Sequence, residues 1–258
     1  MGGFRAVLNV ATSLAQYGYA IRGNDRMSTT SRYNRRDFLK VAAPAAIAVT
    51  QGIAPAHPTE LRDGQSKYMP VFFNDTEWRF VNAAVDRLIP ADPHGPGGVE
   101  AGVPVFIDRQ LDLPYGHGAY FYMQGPFHPD AHPTLGYQLQ YSPRELYRLG
   151  IAAADSVCNQ TKGKAFSELP HLDQEQFLTS LEHGTVALQG PPAATFFAQL
   201  LANTREGYFA DPMYGGNRGM GGWKMIGFPG ARADFTNWMD QQGRAYPYGP
   251  TAIHGSRS

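Results

Sequence analysis

The stretch SPRELYRLGIAAADSV, residues 142–157, decides which fold class the sequence predicts. Ser142 and Glu145 have the spacing of a capping box, and Pro143 suits the first position of a helix, where its missing N–H costs nothing. Apolar residues then recur at helical spacing, at Leu146, Leu149, Ala153 and Val157. The stretch therefore predicts an amphipathic helix from residue 143 to about residue 160.

Helical patterns recur elsewhere along the chain. A second capping box begins at Asn74 and predicts a helix from about 75 to 89, and further patterns predict helices over about 104–111, 173–183 and 192–204. No stretch of strand length alternates between apolar and polar residues. The sequence therefore predicts an all-α fold, an irregular helical domain with long loops rich in glycine, proline and aromatic residues.

Two of these loops are unusual in composition. Residues 112–141 combine five Tyr and two Phe with four Pro, and this aromatic density favours an ordered loop. Residues 207–230 contain eight Gly together with several aromatic residues, and we predict that they are not helical. Because glycine loses the most backbone freedom on folding, this segment needs its aromatic side chains buried, either in the domain's own core or against a partner.

Composition limits the possible functions. The 258 residues include 22 Lys and Arg and 22 Asp and Glu, which argues against a basic nucleic-acid-binding protein. The single cysteine, Cys158, rules out an intramolecular disulfide, a zinc site of four cysteines and a CxxCH haem attachment. Cys158 follows the helical stretch at 142–157, and we expect it to be an inert thiol.

The first 56 residues have the pattern of a cleavable export signal. Residues 1–40 carry seven basic and two acidic residues, and an apolar run over 41–49 leads to a small-residue cleavage site near Ala56. The segment resembles a twin-arginine signal, although Asn34 stands where Ser or Thr is usual. The residues of this signal are Arg35, Arg36, Phe38, Leu39 and Lys40.

We therefore divide the chain into an N-terminal extension and signal over residues 1–56 and a single helical domain over residues 57–258. Met1 and Met27 are alternative starts, and a retained basic amphipathic helix is the alternative interpretation of the signal. Without the first 56 residues, 15 basic and 20 acidic residues remain, a net charge of about −5. Such a chain has no electrostatic reason to bind anionic lipid or nucleic acid.

Candidate chemical sites are few. His128 and His132 lie four residues apart and could bind a metal ion, although neighbouring prolines make a helix there improbable. Asp108 and Asp112 could form a carboxylate pair, but we expect both to be exposed to solvent. No GxSxG, GxGxxG or GxxxxGK[ST] motif is present. We therefore predict no catalytic, cofactor-binding or metal-binding residues in this chain.

Two ordered blocks of sequence carry a family resemblance. The first block is VDRLIPAD at residues 85–92, with the glycine turn at 95–98 and the residues around 100–108 that follow it. The second block is GYFADPMYGGN at residues 207–217, followed by GWKMIGFPG at residues 222–230. Together they resemble the gluconate 2-dehydrogenase subunit 3 family, the small subunits of membrane-bound gluconate 2-dehydrogenases, over roughly residues 75–235.

The resemblance implies a heterotrimeric dehydrogenase that faces the periplasm. In such complexes a large flavoprotein binds FAD and oxidises a sugar, polyol or aldonate, and a multihaem cytochrome c subunit passes the electrons to quinone. The small subunit has no assigned redox centre, packs on the flavoprotein and supplies the export signal. The resemblance thus implies a non-catalytic periplasmic chain, peripheral to the inner membrane through its partners, with FAD and haem c in those partners.

The same resemblance suggests where a partner would bind. A segment of about residues 205–235, rich in glycine and aromatic residues, would wrap the partner surface, and the turn around residue 95 would add a second patch. The candidate interface residues are Tyr214, Gly215, Gly216, Asn217, Trp223 and Phe228, with Pro90, Asp92 and Gly97 in the second patch. The alternative is that these residues close the domain's own core.

Two other functions remain open from the sequence. One is an independent periplasmic enzyme that uses a metal ion at His128 and His132. The other is a small-molecule binding protein, for which the aromatic loop at residues 112–141 is the support. The sequence does not identify the substrate of the complex, because substrate choice would lie in the flavoprotein.

Overall fold

A computed structural model describes residues 68–244 and 246–255. Within these ranges the chain forms six α-helices and no β-strand, which confirms the predicted all-α fold. The helices are α1 Asp75–Leu88, α2 Val103–Asp112, α3 Pro143–Lys162, α4 His171–Glu182, α5 Ala193–Phe209 and α6 Gly221–Ile226. In this part of the chain no helix has both the length and the apolar character needed to cross a bilayer.

The predicted export signal lies outside the described residues. This applies to Arg35, Arg36, Phe38, Leu39 and Lys40, to the apolar run that follows them and to the cleavage site near Ala56. The signal and the boundary at residue 56 therefore stay predictions.

Both predicted capping boxes form. At the start of α1, the Asn74 side chain accepts hydrogen bonds from the backbone N–H groups of Thr76 and Glu77, each at 3.0 Å, and Glu77 accepts one from the Asn74 N–H at 3.0 Å. At the start of α3, the Ser142 N–H donates to Glu145 Oε2 at 2.8 Å, and the hydrogen bonds from Ser142 lower the pKa of Glu145. These contacts satisfy helix N–H groups that otherwise have no partner.

The core forms where α5 packs against α2, α3 and α4, with α1 beside them. Large side chains with no solvent exposure fill this space, among them Phe80 of α1, Leu111 of α2, Tyr147 of α3 and Phe196 of α5. At Gly150 of α3, a β-carbon would lie 2.4 Å from the Phe196 ring. Glycine at this position therefore allows α3 and α5 to approach closely.

The predicted apolar face of α3 is confirmed in part, because Leu146 and Ala153 are buried, at 0% and 7% exposure. Leu149, which the pattern assigned to the buried face, is 43% exposed, whereas Tyr147 is fully buried. The buried face follows the spacing of Tyr147, Ile151, Ala154 and Cys158. The pattern did not include Tyr147, yet most of a tyrosine side chain is an apolar ring that suits a core.

The C-terminal part of the chain is more helical than predicted. Helix α5 continues to Phe209, and α6 lies inside the segment 207–230 that was predicted to be non-helical. Gly207 does not end α5, because glycine at this position lets the helix pack closely on α2. A β-carbon there would lie 2.8 Å from the Phe106 ring of α2. Tertiary contact thus overrides the weak helix propensity of glycine.

The aromatic loop between α2 and α3 is ordered, as its composition predicts. The Phe121 ring centroid lies 6.0 Å from that of Tyr115 and 5.4 Å from that of Tyr137. The Tyr137 hydroxyl donates to the Tyr141 carbonyl oxygen at 2.6 Å. Contacts of this kind between aromatic rings stabilise a segment that lacks regular secondary structure.

Asp108 contradicts the expectation of an exposed carboxylate. It has no solvent exposure and accepts four hydrogen bonds from the chain segment that precedes α1, whereas Asp112 is exposed. The donors are the Tyr68 hydroxyl (2.6 Å) and the backbone N–H groups of Val71 (2.7 Å), Phe72 (3.1 Å) and Phe73 (2.9 Å). The two carboxylates therefore do not act as a pair, and Asp108 attaches residues 68–73 to α2.

Arg148 of α3 attaches the same segment from another side. Its guanidinium donates to Glu77 Oε1 at 3.0 Å and to the Phe72 carbonyl oxygen at 3.0 Å. The guanidinium carbon also lies 4.4 Å from the centroid of the Phe72 ring, in the geometry of a cation–π contact. The segment before α1 is thus held by charged groups of two helices.

Cys158 is almost fully buried on α3. Burial and, after it, the nearby Asp155 carboxylate raise the pKa of its thiol to about 12. Because the thiolate is the reactive form, a thiol with this pKa reacts slowly at neutral pH. The structure agrees with the expectation of an inert thiol.

Candidate partner-binding surface

The turn between α1 and α2 is shaped by a carboxylate and by two glycines that lie too close to neighbouring atoms to carry a side chain. Asp92 Oδ1 accepts hydrogen bonds from the backbone N–H groups of His94 at 2.8 Å and Gly95 at 3.1 Å. A β-carbon at Gly97 would lie 2.9 Å from the Ala91 backbone nitrogen, and one at Gly98 would lie 2.7 Å from the side chain of Val85 on α1. The turn therefore folds tightly onto the end of α1.

The glycine-rich segment wraps the C-terminal end of α5. The Asn217 side-chain amide donates to the Ala210 carbonyl oxygen at 2.9 Å, and the Trp223 indole N–H donates to the Phe209 carbonyl oxygen at 2.7 Å. These bonds satisfy carbonyl groups at a helix end, which have no partner within the helix. A β-carbon at Gly216 would lie 2.1 Å from the Gly207 carbonyl oxygen, so the wrapping requires glycine there.

The turn and the glycine-rich segment contact each other. The Tyr208 hydroxyl of α5 donates to the Pro96 carbonyl oxygen at 2.8 Å, and the Arg218 N–H donates to the Ala101 carbonyl oxygen at 3.0 Å. The Met225 sulfur of α6 lies 3.2 Å from the position that a β-carbon of Gly95 would take. The two sequence blocks, more than 100 residues apart, thus form one continuous structure, which we call the turn–wrap surface: residues 90–102 and 211–228.

Tyr208 supports this surface from beneath. It is nearly fully buried, and its pKa is raised chiefly by this burial and then by the carboxylates of Asp92 and Glu100. A phenol with a raised pKa stays neutral and keeps its proton. The Tyr208 hydroxyl therefore stays a donor to the Pro96 carbonyl oxygen, and this hydrogen bond links α5 to the turn.

The structure places the nine candidate interface residues in two groups. Five of them lie inside the fold, and these are Gly97, Gly215, Gly216, Asn217 and Trp223. The other four face solvent, and these are Pro90, Asp92, Tyr214 and Phe228. The buried group shapes the backbone, and the side chains of the exposed group are accessible at the surface.

Sequence reasoning missed four exposed apolar residues on this surface, one of which is Val99 in the turn, while the other three lie in the glycine-rich segment. These three are Met213, Met225 and Ile226, and Ile226 is 57% exposed. Within α6, Trp223 is the large side chain that points into the fold, with 5% exposure, so the apolar residues after it are left on the outside. The apolar run WKMIGF at residues 223–228 could have indicated these exposed side chains. A helix as short as α6, with six residues, cannot bury apolar side chains on every face.

Of the histidine pair, His132 takes part in a local polar contact. His132 Nδ1 lies 2.9 Å from Thr134 Oγ1, within a local turn. Among residues 68–244 and 246–255, no three His, Cys, Asp or Glu side chains are grouped closely enough to hold a metal ion.

One comparison with known proteins identifies a relationship. The family model described as gluconate 2-dehydrogenase subunit 3 matches residues 75–230, which is more than half of the chain. The match begins at the first residue of α1 and ends just after the turn–wrap surface. No curated protein and no solved structure shows significant similarity to the chain.

Proposed function

The chain belongs to the gluconate 2-dehydrogenase subunit 3 family, and from this premise we propose that it is the non-catalytic small subunit of a periplasm-facing, FAD-dependent dehydrogenase complex. Its role is the assembly, stability and co-export of a flavoprotein subunit. That flavoprotein oxidises a sugar, polyol or aldonate, and a cytochrome c subunit passes the electrons to quinone.

The turn–wrap surface is the observation that carries this proposal. Its backbone is fixed by buried groups, while three apolar side chains within four consecutive residues, Met225, Ile226 and Phe228, are exposed. Exposed methionine and aromatic side chains on a fixed backbone are typical of the centre of a protein–protein interface. We infer that the flavoprotein covers these side chains in the complex.

The redox groups are assigned to the partners. Covalent attachment of haem c requires two cysteines in a CxxCH motif, and this chain has one cysteine, buried in α3. FAD is assigned to the large subunit through the family resemblance. The chain, mildly acidic after removal of its signal, reaches the inner membrane through these partners.

Docking is tested on the exposed side chains. We expect Ile226→Asp combined with Phe228→Asp to reduce co-purification of the flavoprotein at least tenfold, because both residues would place a charge in an apolar interface. The tagged chain is purified from its native host, and the flavin absorbance and haem staining of the eluate are measured. Circular dichroism should show an unchanged fold.

Leu172→Asp provides the matched control for docking. Leu172 is 65% exposed on α4 and is not part of the turn–wrap surface, so this variant should capture the flavoprotein normally. Undiminished capture by the Ile226/Phe228 variant would contradict the docking proposal. Trp223→Ala is a weaker test, because Trp223 is buried and its loss would disturb the fold itself.

Export is tested separately at the signal. We expect Arg35→Lys combined with Arg36→Lys to leave almost all of the chain unprocessed in the cytoplasm, because the paired arginines identify the route. Cell fractionation and immunoblotting measure this, with Arg32→Lys, three residues upstream, as the control. A processed periplasmic form of the double variant would show that the route is different.

A further inference from the structure

Residues 251–253 lie beyond the family match, which ends at residue 230, yet they return to the turn–wrap surface. Thr251 pairs with the residues that directly follow Phe228. The Ala231 N–H donates to the Thr251 carbonyl oxygen at 2.7 Å, and the Thr251 N–H donates to the Pro229 carbonyl oxygen at 3.2 Å. Residues 231–253 thus form an extension whose end lies beside its beginning.

A carboxylate of the turn–wrap surface fixes the end of this extension. Asp211 is buried, and its Oδ1 accepts the Met213 N–H at 3.0 Å while its Oδ2 accepts the Ile253 N–H at 2.7 Å. Hydrogen bonds to an ionised acceptor are stronger than those between neutral groups. Because both N–H groups bind one carboxylate, Met213 and Ile253 are neighbours in space although they are distant in the sequence.

The residue before Ile253 packs into the turn–wrap surface. Ala252 is 5% exposed and forms a small apolar cluster with Met220 and Trp223, against which Phe209 of α5 packs. Trp223 is the side chain that attaches α6 to the rest of the fold. The end of the extension therefore supports the helix that carries part of the exposed apolar set.

Ile253 itself extends that exposed set. Its side chain is 57% exposed, beside Met213, which is 40% exposed, and the extension reaches it from Phe228, which is 44% exposed. A single exposed apolar side chain is ordinary and needs no explanation. A group of them on a fixed backbone, continuous with a surface that already carries others, is typical of an interaction site.

The size of an interface also favours a contact beyond the turn–wrap surface. A stable protein–protein interface uses about 20–30 residues on each side. Of the 31 residues of the turn–wrap surface, 11 are buried in the fold, which leaves 20 at most for a partner. The turn–wrap surface alone reaches only the lower end of the range, so a partner of ordinary contact area also covers adjacent residues.

We propose that the end of the extension is part of the docking surface, and that an apolar patch of the flavoprotein subunit covers Ile253 together with Met213 and Phe228. The inference rests on the proposed function and adds to it a contact outside the part of the chain that the family shares. The partner patch is apolar because these three side chains carry neither a charge nor a hydrogen-bonding group.

Replacing Ile253 with lysine tests this contact. Ile253→Lys should reduce co-purification with the flavoprotein at least tenfold, because the ammonium group would lose its hydration in an apolar interface. Lysine is chosen because a new carboxylate would repel Asp211 and detach the extension. A tag on the flavoprotein leaves the C-terminus of this chain unchanged, and immunoblotting measures the captured chain. Undiminished capture of Ile253→Lys would overturn the proposal.

Three controls separate docking from folding. Ile253→Val keeps a branched apolar side chain and should be captured normally. Met239→Lys changes a side chain that is 70% exposed in the same extension but is not part of the turn–wrap surface, and it should also be captured normally. Equal loss in Met239→Lys would overturn the role of the anchored end. Ile253→Lys should keep its urea unfolding midpoint, and a lowered midpoint would place Ile253 in the domain's own fold and overturn the proposal.

Two further results distinguish this inference from the proposed function. Loss of capture in the Ile226/Phe228 variant with normal capture of Ile253→Lys would overturn the inference and leave the proposed function standing, whereas normal capture of both would count against both. Size-exclusion chromatography of the isolated chain tests a second copy as the occupant. A dimer that Ile253→Lys converts to a monomer would show that a second copy covers Ile253, and would overturn the assignment to the flavoprotein.

Discussion

Replacing Asp108 with alanine is expected to lower the free energy of unfolding by about 3–5 kcal/mol. The change removes the acceptor of four hydrogen bonds, three of them from backbone N–H groups that have no second acceptor in the described chain. Donors left buried without a partner lose the full hydration that they had in the unfolded chain. Urea unfolding of the chain, followed by circular dichroism, measures the loss.

Asp112→Ala is the matched control for Asp108. It removes the same carboxylate one helical turn later, at an exposed position, and should change stability by no more than about 0.5 kcal/mol. Asp108→Asn should fall between the two, because the amide keeps one acceptor oxygen but turns an NH₂ group towards N–H donors. Equal stability of the Asp108→Ala and Asp112→Ala variants would show that residues 68–73 are held by other contacts.

The contrast between these two aspartates shows which parts of the fold the sequence could predict. Asn74 and Ser142 cap their helices through residues three positions away, so the pattern is local and both capping boxes were predictable. Asp108 receives its donors from residues 35 to 40 positions earlier. Nothing in the sequence near Asp108 distinguishes it from Asp112, so its burial was not predictable.

The short helix α6 was missed for a related reason. Its six residues begin with two glycines, which have poor helix propensity, and so local reasoning favours a loop. The helix forms because the Trp223 indole is buried and bonded to the Phe209 carbonyl oxygen, at the end of α5. A contact between distant elements thus determines both the helix and the side chains that it leaves exposed.

The candidate interface shows the same limit. The sequence identified nine candidate interface residues in the turn and the glycine-rich segment, but it did not indicate which of them face inward. Gly216 and Asn217 are inside because they meet the end of α5, while Tyr214 and Phe228 remain exposed. The residue types alone favour neither outcome, since both glycine and aromatic residues serve in cores as well as in interfaces.

Replacing Gly216 with alanine is the second change with a large expected effect, about 2–4 kcal/mol of lost stability. The new β-carbon would lie 2.1 Å from the Gly207 carbonyl oxygen and 3.1 Å from its α-carbon. These are helix backbone atoms that cannot rotate away, and Gly207 itself is pressed against Phe106 of α2. The segment must therefore move off α5, which breaks the hydrogen bonds of Asn217 and Trp223.

Gly219→Ala controls for the loss of a glycine in the same segment. Gly219 has a φ of 64° and no neighbour within 4 Å of a β-carbon, so alanine there should cost only about 1 kcal/mol of backbone strain. Urea unfolding measures both variants, and limited proteolysis should cut the Gly216→Ala chain between residues 210 and 230 first. A Gly216→Ala protein as stable as Gly219→Ala would mean that the segment does not pack on α5 as described.

Gly216→Ala and the Ile226/Phe228 variant together separate two roles of the glycine-rich segment. The first should lose both stability and flavoprotein capture, because it displaces the backbone that carries the exposed side chains. The second should lose capture with a much smaller loss of stability, because Ile226 is exposed and Phe228 is 44% exposed, although its ring contacts Trp223. If both variants lost stability equally, the exposed side chains would belong to the domain's own fold, and the surface for a partner would have to lie elsewhere.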